Sequence, residues 1–196
     1  MIDLFAAFGL SASAGLNAYL PMLIVAVSAR MGLFTLNAPF DIMTNTYVIG
    51  ALAVMTVIEM LVDKVPAVDT INDVISTLIR PAAGAVLFAA STNIVSDVSP
   101  VFSMVLGLLA AGSVHAAKTA ARPAVTATTA GIGNPIVSIL EDVLAAFTTL
   151  MAMFLPWVVL IIFVTAILII MQARARRRAK LRARYERYDR FDRYRR

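Results

Sequence analysis

The sequence predicts an all-α protein, a polytopic bundle of five or six transmembrane segments with one interfacial or re-entrant amphipathic helix. Three observations predict it. The 196 residues are 60% hydrophobic and 15% charged, with a mean hydropathy of +0.84, far from the range of soluble domains. The apolar residues gather in six stretches, roughly 4–29, 47–62, 81–95, 101–117, 136–150 and 155–171, against the ~20 residues a straight crossing needs. Finally, acids and bases recur inside or at the ends of these stretches: Glu59, Asp63, Lys64, Arg80, His115, Lys118, Arg122, Glu141 and Asp142. Ionisable groups at membrane depth are costly unless paired or wetted, so each is a candidate functional residue.

The first stretch begins MIDLFAAFGLSASAGLNAYLP. It lacks a basic n-region, opens with Asp3 and stays apolar past Pro21, so it reads as a retained membrane segment rather than a signal peptide. Gly15, Asn17 and Pro21 mark places where it can tilt or break. The spacing of Ser11 with Gly15, and of Gly107 with Ala111, suits close helix packing.

The second stretch ends in charge. Glu59 and Asp63 are four apart and share a helical face. They can share a proton, coordinate a hard cation, or pair with a base from another segment. Lys64 and Pro66 follow at once. Over DKVPAVDTINDVISTLIRP, Val68, Ile71, Val74 and Leu78 recur at helical spacing while Asp69, Asp73 and Arg80 fall on another face. The pattern predicts an amphipathic helix bounded by Pro66 and Pro81, lying flat in the interface or dipping into the protein.

His115, Lys118 and Arg122 form a basic stripe on the fourth stretch. It can grip a phosphate or carboxylate, or neutralise the acids across the bundle. The lone His115 is a candidate proton relay or a hydrogen-bonded packing residue. Gly131-Ile132-Gly133-Asn134-Pro135 breaks the chain before a helix carrying Glu141 and Asp142. Pro135 fits a helix start, and Asn134 is a binding candidate if that turn lies in the membrane. Arg-Pro-Ala occurs at both 80–82 and 122–124, but not at equivalent places in two halves.

With no cysteine and no paired-histidine motif, neither a thiolate metal site nor any cofactor is expected. Nor is an enzyme, since no nucleophile–base pair stands out.

Two parts follow from the charge distribution: a membrane domain, 1–172, and a basic tail, 173–196. From Arg174 onward, twelve Lys/Arg stand against three Asp/Glu, whereas the rest of the chain holds five against nine. By the positive-inside rule the tail is cytoplasmic, in a bacterial inner membrane. Counting back through six crossings places the amino terminus there too. A single kinked helix from Glu141 to Met171 would instead give five crossings and an external amino terminus. Within the tail, Arg176, Arg177, Arg178 and Lys180 lead into an Arg-aromatic-acid repeat with Tyr185, Tyr188, Phe191 and Tyr194. That composition suits an anionic leaflet, with RNA the lesser reading.

These residues together resemble the bacterial integral membrane proteins grouped as domain of unknown function 4126. The likeness lies in Gly15 to Pro21, Glu59 through Asp63-Lys64-Val65-Pro66 to Asp69, Ile79 to Gly84, His115, Lys118, Arg122, Asn134-Pro135, Ser138, Glu141 and Asp142. It covers roughly 9–160 and omits the tail. The resemblance implies a common polar set without supplying a reaction. The expected activity is translocation of a small ion, charged headgroup or anionic solute through a polar interior. The rival is an accessory or scaffold subunit of a membrane complex, or a homo-oligomer, with its charges acting as internal staples.

Overall fold

A computed structural model describes residues 2–33, 35–36, 38–64, 66–91, 99–162 and, between 164 and 176, all but 166, 167, 170 and 173; of residues 2, 3 and 66–73 it describes the backbone alone. The described residues are helical, without strands. In order they form α1 (Ile2–Leu16), α2 (Tyr19–Arg30), a 3-10 turn (Phe40–Thr44), α3 (Thr46–Val62), α4 (Pro66–Ser91), α5 (Pro100–Thr129) and α6 (Asn134–Phe154). Segments within α4, α5 and α6 are long and apolar enough to cross a membrane, and α1, α2 and α3 are shorter apolar helices. The protein is a multi-pass helical membrane bundle.

The helix directions follow from named contacts. Arg80 and Pro81 on α4 meet His115 and Gly112 on α5, and Phe88 meets Gly107, so α4 and α5 are antiparallel. Gly15 abuts Ala111 and Val114, and the Leu16 carbonyl receives Lys118, so α1 runs parallel to α5. Asn17 bonds Asp142, Ser13 bonds Thr149 and Gly9 abuts Ala152, which makes α6 antiparallel to α1.

On α3, Glu59 lies level with Arg80, whereas Asp63, one turn on, reaches Lys118, one turn past His115. Helix α3 therefore follows α5. Tyr19 and Ala18 bond Glu59 at one end of α2, and Arg30 bonds Thr46 at the other, so α2 opposes α3. It follows that α2 turns back along the direction from which α1 came. Residues 2–30 form a helical hairpin whose turn, Asn17 and Ala18, is fully buried. The sequence pattern predicted one membrane segment here. The helix ends after Leu16, with Gly15 still inside it, and the chain reverses at Asn17–Ala18. Pro21 sits buried in the first turn of α2.

The core lies where α1, α4 and α5 meet. Leu10, Ala14, Ala83, Leu87 and Ala111 pack there, joined by Val25 and Ala26 of α2 and Ala152 of α6. Small residues let the backbones touch. A Cβ on Gly107 would stand 2.6 Å from the Phe88 Cβ, and one on Gly84 2.8 Å from the Gly107 carbonyl.

Two boundaries differ from the sequence pattern. Pro66 starts α4, but Pro81 lies inside it, so the amphipathic stretch and the third apolar stretch are one continuous helix rather than two elements. The missing N–H of Pro81 costs one intrahelical bond, but packing on both sides of it, Arg80 on His115 and Gly84 against Ala111, holds the helix together. Likewise α5 continues through Pro123 to Thr129, and the interval between the fourth and fifth apolar stretches shrinks to a turn with Ala130 and Gly131 at positive φ. Pro135 opens α6 as predicted.

Beyond α6, Leu155 is non-helical and helix resumes at 156. Ala152 and Val159 both come within 3.0 Å of where a Gly9 Cβ would be, whereas residues seven apart on one straight helix stand ~10 Å apart. The run from Glu141 to Met171 is therefore not a single straight helix. Leu160–Arg196 make a separate unit, helical where described, with Ile161, Ile162 and Leu168 exposed. Apart from the exposed Arg176, the named tail residues lie outside the described ones.

Candidate functional site: a buried charge network at the hairpin turn

The hairpin turn exposes backbone polar groups inside the bundle, and a polypeptide at membrane depth must satisfy them from within. Glu59 does so at the start of α2. Its carboxylate accepts the Ala18 N–H at 3.0 Å and the Tyr19 N–H at 3.3 Å, an acid at the positive end of a helix. At the end of α1 the complementary charge arrives, as Lys118 Nζ donates to the Leu16 carbonyl at 3.1 Å. Asn17 ties the turn itself, accepting from Leu20 N–H and donating to Asp142 at 2.9 Å.

From these anchors the network spreads across four helices. The fully buried Arg80 donates through Nε and Nη2 to Glu59 at 3.2 and 3.1 Å, and Nη2 also reaches Asp63 at 3.1 Å. Lys118 bridges Asp63 at 3.4 Å and Glu141 at 2.9 Å, and Arg122 meets the same Glu141 oxygen at 3.0 Å. Lys64 pairs with Asp142 at 3.2 Å. Four acids face four bases, so the set is electrically balanced. Such pairing is what makes burial of all eight tolerable.

His115 closes the set on the α4 side. Arg80 Nη1 lies 3.3 Å from Nδ1, and an arginine only donates, so Nδ1 is the acceptor. The ring proton is then on Nε2 and is directed at Thr77 Oγ1, 3.2 Å away. A groove of about 430 Å³ between α4 and α5 reaches this pair.

The sequence candidates thus divide. Glu59, Asp63, Lys64, Arg80, His115, Lys118, Arg122, Glu141 and Asp142 come together. Asn134 does not, since its side chain exchanges hydrogen bonds with Thr126 at the exposed α5–α6 turn. The Asp69 and Asp73 side chains lie outside the described residues. Sequence reading treated Asn17 as a helix breaker only, although an amide amid small residues ahead of Pro21 is a signal for a polar turn. It did not single out Thr77. Ser138 is fully buried one turn before Glu141, and among the described residues its hydroxyl makes no hydrogen bond.

The family model described as "Domain of unknown function (DUF4126)" matches residues 4–176. The chain belongs to the DUF4126 family. The match takes in the hairpin from residue 4 onward and every member of the charge network, so in this DUF4126 protein the polar interior lies within the family domain. No curated protein and no solved structure matches the chain.

Proposed function

We propose that this DUF4126 protein moves a small ion across the membrane through the charge network at the hairpin turn. The observation that carries the reading is the turn itself: two half-helix ends buried inside the bundle, one met by Glu59 and the other by Lys118. Broken helices of this kind build ion sites in transporters, and ionisable residues among membrane helices mark ion pathways. The proton fits best as cargo, because it needs no added volume among side chains already at ion-pair distance. Carrying it requires one pair to open, so the conformation described is an occluded one. The reading has no catalytic step and no cofactor.

The setting proposed is a bacterial cytoplasmic membrane, with the basic tail inside against anionic lipid headgroups. By the same rule the end of the bundle that holds Lys64, Lys118 and Arg122 lies toward the cytoplasm, and the open end of the hairpin faces out. This places the amino terminus outside, in contrast to the count of six crossings.

Complete pairing favours one rival, an accessory subunit stapled by its charges, alone or in a homo-oligomer or larger complex. Purified protein in liposomes holding a pH-sensitive dye separates the two. Transport predicts proton flux above empty liposomes, lost in a Glu59→Gln/Arg80→Gln double variant that still folds. Wild-type protein that moves no ion leaves the scaffold standing.

A further inference from the structure

Lys64 and Asp142 form the outermost pair of the network. Lys64 keeps 31% of its side chain exposed, against 12% or less for the other seven charges. Its ammonium has three N–H groups; two go to the Met60 carbonyl and Asp142, and among the described residues the third has no acceptor. Asp142 accepts from Asn17 through one oxygen and from Lys64 through the other, which leaves lone pairs for a further donor. A cation and an anion stand side by side, each with capacity to spare.

A groove of about 340 Å³ leads from this pair between α2, α3 and α6, over Leu20, Val143 and Ala146. Lys64 lies eighteen positions past Thr46 on α3, ~27 Å along the axis, against a hydrocarbon thickness of ~30 Å. The charged end of the groove is therefore level with lipid headgroups. Val143 and Ala146 follow Asp142 along α6, away from that edge and toward the bilayer interior.

We propose that this groove seats one phospholipid with a primary-ammonium headgroup, of the phosphatidylethanolamine class. Its phosphate accepts from Lys64, its ammonium donates to Asp142, and an acyl chain lies over Leu20, Val143 and Ala146. The polarity of the site selects the lipid. A choline headgroup has no N–H to give Asp142, and a purely anionic headgroup would set its phosphate beside an uncompensated carboxylate.

Native mass spectrometry of the full chain, in detergent with equal amounts of phosphatidylethanolamine, phosphatidylcholine and phosphatidylglycerol, tests this. Wild-type protein should retain one phosphatidylethanolamine with a preference of about tenfold, the worth of one charge-assisted hydrogen bond. Asp142→Asn should erase the preference over phosphatidylcholine. Ala146→Trp, which fills the groove and leaves the charges alone, should remove the bound lipid. Should Asp142→Asn fail to fold, the wild-type preference and the Ala146→Trp loss decide. Equal retention of the three lipids overturns the proposal. So does preference for phosphatidylglycerol, lipid retention undiminished in Ala146→Trp, or a dimer that covers Lys64.

Discussion

Arg80 has no surface to retreat to. Its guanidinium serves Glu59, Asp63 and His115 at once, so Arg80→Gln leaves two buried carboxylates short of their cation. Such a loss destabilises by roughly 3–5 kcal/mol, and the melting temperature in detergent should fall accordingly. Pairing Arg80→Gln with Glu59→Gln should recover part of it. Glu59 and Arg122 should not rescue one another, because Arg122 belongs to Glu141. Asn17→Leu should cost less, about 1–3 kcal/mol for a buried acceptor losing its donor, and the same melting series ranks the two. The charged members of this set were legible because an ionisable residue in an apolar run needs a partner. Which acid takes which base was not, since a spacing of four places Glu59 and Asp63 on one face without saying what faces them.

Helices α1, α4 and α5 meet through backbone, and tolerance there is set by volume. Gly84→Val would drive a side chain into Ala111 and the Gly107 carbonyl; overpacking of this order costs roughly 1–3 kcal/mol. Thermal melting should show that loss, while a valine at the unobstructed Gly50 should leave melting nearly unchanged. The spacing of Ser11, Gly15, Gly107 and Ala111 makes this packing legible in the sequence. The continuity of α4 was hidden, because Pro81 looks like a boundary from sequence and tertiary contacts on either side of it decide otherwise. The reversal after Leu16 was hidden for a similar reason. Gly15, Asn17 and Pro21 say that a helix breaks, but the direction of the next helix depends on Glu59 and Asp142, which are distant in sequence.

At the scale of the whole bundle, the hairpin fixes which ends share a membrane face. A chain without cysteine is ready for single-cysteine labelling. Ile2→Cys and Leu33→Cys should react from one side of the membrane and Thr128→Cys from the other, and residues 2 and 33 reacting from opposite sides would sink the hairpin. Charge bias alone could not reveal this, because a hairpin and a crossing leave the same Lys/Arg pattern in the loops. The hairpin also bears on biogenesis. Asn17 and Asp142 are 125 positions apart, so the first helices to leave the ribosome wait for nearly the last to complete their turn. Until α6 arrives, the amide of Asn17 stays with water or with the insertion machinery rather than in lipid. A chain cut after Ser91 should accordingly hold its first thirty residues open to protease, and the intact chain should close them only once α6 has been made.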